Sequence, residues 1–155
     1  MSGADKFLKE ITRATKAMEA LTQDKEFLDI IAKEVVDIIK KRTRLGYSVD
    51  SQGGSKQKLN PLSKKYVEHR QKTGVSGPGT PARSNLTYTG QMLDDLTAEV
   101  FDRFITFKFD SDESETKAMY VTEQGRPFMN LSQSEINQVR QLIQEHLRMR
   151  FERLV

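Results

Sequence analysis

Two histidines, His69 and His146, are the first place to look for chemistry, and neither stands in a metal-binding or triad spacing. An H-E-x-x-H run would set two imidazoles on one face of a helix, and the sequence has none. G-x-S-x-G, the phosphate-cradling P-loop and G-x-G-x-x-G are missing too. There is no cysteine, which removes thiol nucleophiles, zinc–thiolate sites and disulfides, along with any redox argument for compartment. His146 adjoins Leu147 in an apolar-periodic stretch, the setting of a half-buried structural imidazole rather than a general base. The acidic run Asp110-Ser111-Asp112-Glu113-Ser114-Glu115 has carboxylates enough for a divalent cation. It lacks the glycine turn and final glutamate of a calcium loop, so it reads as a solvated hairpin loop. On these residues the chain is expected to be no enzyme and to need no cofactor and no metal.

What remains is charge, and it is unevenly placed. The stretch Lys40–Gly90 holds eleven of the 25 Lys and Arg residues and two acids, Asp50 and Glu68. Its formal charge is therefore +9, which leaves −6 on the rest of a chain whose net charge is +3. Seven of the nine glycines and three of the four prolines fall in the same stretch. Such a composition buries too little apolar surface to order itself, so it reads as a surface that another molecule completes. Lys56, Lys58, Lys64, Lys65, Arg70, Lys72 and Arg83 are the residues expected to meet that partner. Two partner classes fit. A neighbouring protein would be met by complementary charge, which fixes register more than it adds affinity. Nucleic acid would place phosphates on Lys and Arg and bases on Tyr47, Tyr66 and Tyr88, although three tyrosines over some forty residues form no known module.

The elements that must position these residues follow from periodicity. Residues 4–21 read as an amphipathic helix through Phe7, Leu8, Ile11, Met18 and Leu21. A break falls near Thr22–Asp24, where side-chain oxygens can cap a second helix carrying Phe27, Ile31, Val35, Val36 and Ile39. That helix ends in Lys40, Lys41, Arg42 and Arg44 before Gly46. Cations in a last turn suit the helix dipole, and they read either as a solvated helix end or as the start of a polyanion surface. Residues 46–86 form the basic arm, with turns at Gly53-Gly54 and Gly77–Pro81 and a short helix near Pro61–Arg70, contacting through Leu62, Tyr66 and Val67. Leu86–Leu96 reads as an extended approach, an N-cap at Thr89 and a short helix buried through Leu93 and Leu96. Val100–Asp110 reads as a strand, with Ile105, Phe107 and Phe109 alternating against Thr106 and Lys108. Residues 117–125 return as a strand or as one to two helical turns ended by Gly125. Pro127 keeps Arg126 extended. Ser132 and Glu135 then have capping-box spacing ahead of a last helix built on Ile136, Val139, Leu142, Ile143, Leu147, Met149, Phe151 and Leu154. Its outer side carries Arg140, Arg148, Arg150 and Arg153.

The fold class expected is α+β in one domain: a long helical region over 1–45, a long basic arm over 46–86, and over 87–155 an α+β core with a short antiparallel sheet or hairpin and an amphipathic C-terminal helix. The 155 residues suit a single domain, with 36% hydrophobic and 30% charged residues for a modest core. Met1–Glu10 has no apolar run fit for a signal peptide, and no stretch approaches the ~18 apolar residues of a membrane span, so a soluble protein made in the cytoplasm is expected.

The order of these pieces resembles a known family. Leu86-Thr87-x-Thr89-Gly90-x-Met92-Leu93 precedes a hairpin-like stretch; Tyr120, Gly125, Arg126-Pro127-Phe128 and Leu131-Ser132 then lead into the last helix. This resembles the tailed-phage virion morphogenesis family of tail-completion, neck or head–tail joining proteins. The match covers roughly residues 86–150, and it departs from the family in that Arg126 follows Gly125 at once, which implies a tighter turn there. The resemblance implies a non-catalytic virion subunit without cofactor, made in the host bacterial cytoplasm. It implies a homo-oligomeric ring, a hexamer or dodecamer, at the head–tail junction or as a terminator at the tail end. Its partners would be other neck and tail proteins, with contact to DNA in the channel and none to membrane. The alternative is a nucleic-acid-binding protein that uses the basic segment 40–90.

Overall fold

A computed structural model of the chain describes residues 3–49, 54–73, 86, 90–102 and 104–153. Helix α1 spans Gly3–Thr22 and α2 spans Lys25–Arg44. Asp24 separates them, its Oδ1 accepting from the Phe27 N–H at 3.1 Å, a side-chain cap on an otherwise orphaned donor. The stripe Phe27, Ile31, Val35, Val36 and Ile39 is buried, as helical spacing requires. α2 is the central element and packs against β3, α6, β1 and α1. It ends at Gly46, which takes φ 86, where a β-carbon would be costly.

The segment after α2 is not a free arm over its described part. Strands β1 (Tyr47–Ser48) and β2 (Gln57–Lys58) pair antiparallel, and Leu59 N–H donates to the Gly46 carbonyl at 2.8 Å. Val49 and Leu59 are buried. The segment thus takes its order from the body's apolar surface, which its own composition does not supply. Helix α3 follows over Lys64–Thr73. Of the contacts expected for it, Leu62 and Val67 are half-buried while Tyr66 stays exposed. Gly53, Gly77–Pro81, Arg83, Thr87, Tyr88 and Thr89 lie outside the described residues, as do Leu154 and the side chain of Phe7.

Leu86 packs against the core at φ 51, left-handed at that residue where extended backbone is expected. Helix α4, Gln91–Asp94, has Gly90 at its N-cap at φ 90 with no side-chain cap bond, in place of the cap expected from Thr89. The glycine's freedom at positive φ starts this turn. Strands β3 (Leu96–Phe101) and β4 (Phe104–Phe109) pair Leu96 with Phe109, Ala98 with Phe107 and Phe101 with Phe104. The single strand expected over Val100–Asp110 is therefore the second half of a hairpin. Its two-residue turn holds Asp102 at φ 54, a conformation that Asp tolerates better than most residues. Helix α5, Asp112–Glu123, replaces the acidic loop expected at Asp110–Glu115. Ser111 accepts from the Ser114 N–H at 3.3 Å, and Asp112, Glu113 and Glu115 fill the first turn, where the helix dipole favours carboxylates.

α5 ends with Gly125 at φ 74. Gly125 N–H donates to Thr122 and Arg126 N–H to Val121, both at 3.0 Å. This is a Schellman closure, the compact turn that lets Arg126 follow the glycine directly. The chain then runs extended to helix α6, Gln133–Arg153. The expected capping box is present: Ser132 N–H donates to Glu135 Oε2 at 2.8 Å, and Glu135 N–H to Ser132 Oγ at 3.4 Å. Val139, Leu142, Ile143 and Leu147 pack on the core, while Ile136 and Met149 are exposed. The fold is α+β, with six helices and two short antiparallel hairpins among the described residues.

Candidate assembly surface and its buried anchor

The residues singled out for charge divide into two groups. Lys58, Lys64, Lys65 and Lys72 are exposed on β2 and α3 and take no ion pair among the described residues. Lys56 is exposed but leans toward Glu135, its Nζ 3.5 Å from Oε1, an ion pair too long and misaligned to count as a hydrogen bond. Arg70 is buried at 2% exposure on the inner side of α3 and leaves the interface set. Arg83 lies outside the described residues.

Arg42 departs from both readings given for the basic helix end. It is neither a solvated cation nor a polyanion contact, being 4% exposed. Its Nη1 donates to Glu135 Oε2 at 2.8 Å and to the Asn130 carbonyl at 2.7 Å, while Nη2 donates to the Phe128 carbonyl. Glu135 Oε2 also accepts from Ser132 Oγ at 2.9 Å. Burial pushes the Glu135 carboxyl up, but the two Ser132 hydrogen bonds, the Arg42 charge and the Arg42 hydrogen bond outweigh it and hold the carboxyl below the usual glutamate range. The same site latches the first hairpin to the last helix. Gln133 N–H donates to the Gly54 carbonyl at 3.0 Å, and Gly54 bridges Ser132. A capping-box glutamate ordinarily faces water; that this one anchors an arginine 93 positions away is a tertiary fact. The other helix-end cations stay near the surface, with Lys40 donating to the Asp94 carbonyl at 3.1 Å and Arg44 paired with the Asp94 carboxylate.

Several of the residues that carry the resemblance converge inside the molecule, while Tyr120 is exposed and Thr87 and Thr89 lie outside the described residues. Leu93 and Phe128 are fully buried in one cluster with Leu96 and Ile39, and Leu86 packs against it. Gly90 and Gly125 hold the two positive-φ turns, and Pro127 is half-buried. Arg126 Nη2 approaches the Pro61 carbonyl at 3.4 Å, and Asn60 Nδ2 donates to the Gly125 carbonyl at 3.0 Å. A β-carbon on Gly125 would stand 3.0 Å from that same nitrogen. These residues therefore build the frame and the junction under α3, not an exposed site.

Sequence reasoning missed a second anchor at Asp95. Its Oδ2 accepts from Ser111 Oγ and Ser114 Oγ, both at 2.6 Å, and these bonds hold its carboxyl below the ordinary range against a smaller opposing effect of burial. The signal lay in Ser111 followed by three acids, which is a helix start as much as a loop. The hairpin tip was missed as well. Phe101 and Phe104 pair on the outer face at 80% and 71% exposure, beside the Lys108–Glu99 ion pair.

His146 is half-buried, its ring 4.7 Å from that of Phe27, and His69 is exposed with its ring 6.4 Å from that of Tyr66. Asp24, Phe27, Ile30, His146, Met149 and Arg150 line a cleft of about 210 Å³, below the roughly 300 Å³ at which small-molecule sites begin. Among the described residues no three His, Asp or Glu side chains could hold a metal ion, and no helix is long and apolar enough to cross a membrane. No family model, curated protein or solved structure matches the chain.

Proposed function

We propose that the chain is a non-enzymatic structural subunit of a tailed-phage neck or tail end, one that assembles as a ring and joins neighbouring virion proteins through its basic elements. The observation that carries this reading is the hairpin tip. Two phenylalanines held on the solvent face of a rigid two-stranded element leave apolar surface in water, and covering one such ring is worth roughly 1.5–3 kcal/mol. A paired aromatic tip of that kind suits a socket on another protein. The order of the L-T-x-T-G and R-P-F segments in the sequence supports the phage assignment, as does the packing of Leu86, Leu93 and Phe128 in one core. The exposed lysines of β2 and α3 supply the charge that orients docking.

The nucleic-acid reading rests on those same lysines and predicts a different experiment. The purified protein's mass is measured by sedimentation at low and moderate salt, with and without short duplex DNA. A discrete ring-sized oligomer at low salt that DNA leaves unchanged supports the structural subunit. A monomer that gains mass only with DNA, and loses it steeply as salt rises, overturns that reading in favour of phosphate binding.

A further inference from the structure

We propose that the outer face of α5 docks on the outer face of α3 in a second copy of the chain, so that subunits join head to tail. This rests on the ring-subunit reading and adds which faces meet. On α5, Ser114 and Ala118 are buried and Val121 half-buried, so helical spacing turns Asp112, Met119, Tyr120 and Glu123 outward. Met119 and Tyr120 are each 61% exposed, an apolar pair with acids on either side along the helix. On α3, Arg70 points inward and Val67 is half-buried, so helical spacing turns Lys65, Lys72 and Glu68 outward, with Lys64 on one flank and the Tyr66–His69 ring pair toward the other.

The two faces are complementary in charge and size. The exposed side chains of α5 include four acids and one lysine, net −3; those of α3 include Lys64, Lys65 and Lys72 against Glu68, net +2, Arg70 being buried. Their lengths, 12 and 10 residues, correspond to about 18 and 15 Å. Each offers exposed apolar side chains, Met119 and Tyr120 on α5 and Tyr66 on the flank of α3, beside which charge pairs can form. Such pairs steer approach and fix register, while the apolar contact adds affinity. Within one subunit the Asn60–Gly125 and Arg126–Pro61 bonds tie the start of α3 to the end of α5. That junction fixes the angle between the two faces. Unlike faces at a fixed angle make a heterologous contact, which closes into a ring when the rotation closes.

The absence of cysteine allows a direct test. Tyr66→Cys protein is mixed with Tyr120→Cys protein under mild oxidation. As a control, Tyr120→Cys is mixed with Thr12→Cys, whose site is exposed on α1. The expected result is disulfide dimer at least about tenfold faster for the first mixture, with that advantage lost as salt rises to roughly 0.5 M. Charge reversal gives a second readout. Lys64→Glu/Lys65→Glu/Lys72→Glu alone should not self-associate, nor should Tyr120→Lys/Glu123→Lys alone, while an equal mixture of the two should. An oligomer that both reversals leave intact, or equal cross-linking in both mixtures, overturns this pairing and leaves the ring reading standing. A chain that is monomeric at every salt and takes up DNA overturns the ring reading, and the pairing with it.

Discussion

Glu135→Ala is the substitution that most directly tests the buried anchor. It removes the carboxylate that Arg42 Nη1, Ser132 N–H and Ser132 Oγ all address within 2.9 Å. The Arg42 guanidinium keeps the Phe128 and Asn130 carbonyls but stays 4% exposed with its charge uncompensated. Leaving one partner of a buried ion pair alone costs about 3–5 kcal/mol. In a chain of this size each kcal/mol lowers Tm by about 2–4 °C, so a fall of roughly 6–20 °C is expected. Glu135→Gln keeps an oxygen for Ser132 and should cost roughly half as much. Arg42→Met/Glu135→Leu removes both charges, so it should cost no more than Arg42→Met or Glu135→Leu alone, which makes the coupling in the double-mutant cycle at least as large as one single loss, about 3–5 kcal/mol. Urea titration of wild type, Arg42→Met, Glu135→Leu and the double variant, with Tm alongside and Glu135→Ala and Glu135→Gln measured in the same way, gives every term. A Glu135→Ala protein within about 1 kcal/mol of wild type, or a double variant worse than either single, would refute the reasoning.

The same carboxyl sets a pH dependence. Its folded pKa lies below its unfolded value, so its contribution is present above the unfolded pKa, about 4.3, and is lost as pH falls through the folded one. Urea midpoints should therefore drop below about pH 4.5 in wild type and drop less in Glu135→Gln. Ser111→Ala removes the α5 cap and a donor to Asp95, and should cost about 1 kcal/mol or somewhat more by thermal melting. Gly125→Ala meets both a φ of 74 and the Asn60 amide at 3.0 Å, so a loss of about 1–2 kcal/mol is expected in the same assay. Phe101→Ser/Phe104→Ser should leave subunit stability within about 0.5 kcal/mol, because both rings are already in water, while weakening association in sedimentation. Particle incorporation of the Lys64→Glu/Lys65→Glu/Lys72→Glu protein, checked for a wild-type melt, should fail if the basic face is an assembly surface.

Local rules made much of this chain legible. The α2 stripe from Phe27 to Ile39, the Asp24 cap, the Ser132–Glu135 box and the alternation of Ile105, Phe107 and Phe109 all depend on residues within a turn or two of one another. Such patterns survive in sequence because the interaction and the spacing are the same thing. The acidic run was misread because carboxylates after a serine suit a loop and a helix start equally. The Asp95 contact, 16 and 19 residues away, favours the helix. The first strand of this hairpin was not read because no glycine stands between Phe101 and Phe104 in the sequence to mark the turn.

The sequence by itself determined that charge is segregated: a +9 stretch is written into the chain whatever its fold. Only the tertiary structure decided which of those cations face a partner. Arg42 and Arg70 sit at helical positions that turn inward and are consumed in the interior, whereas Lys58, Lys64, Lys65 and Lys72 stay in water. A long flexible cation has the same local signature in both places. Its fate depends on whether a carboxylate or carbonyl distant in sequence is brought within about 3 Å, and that is set by how α2 and α6 pack.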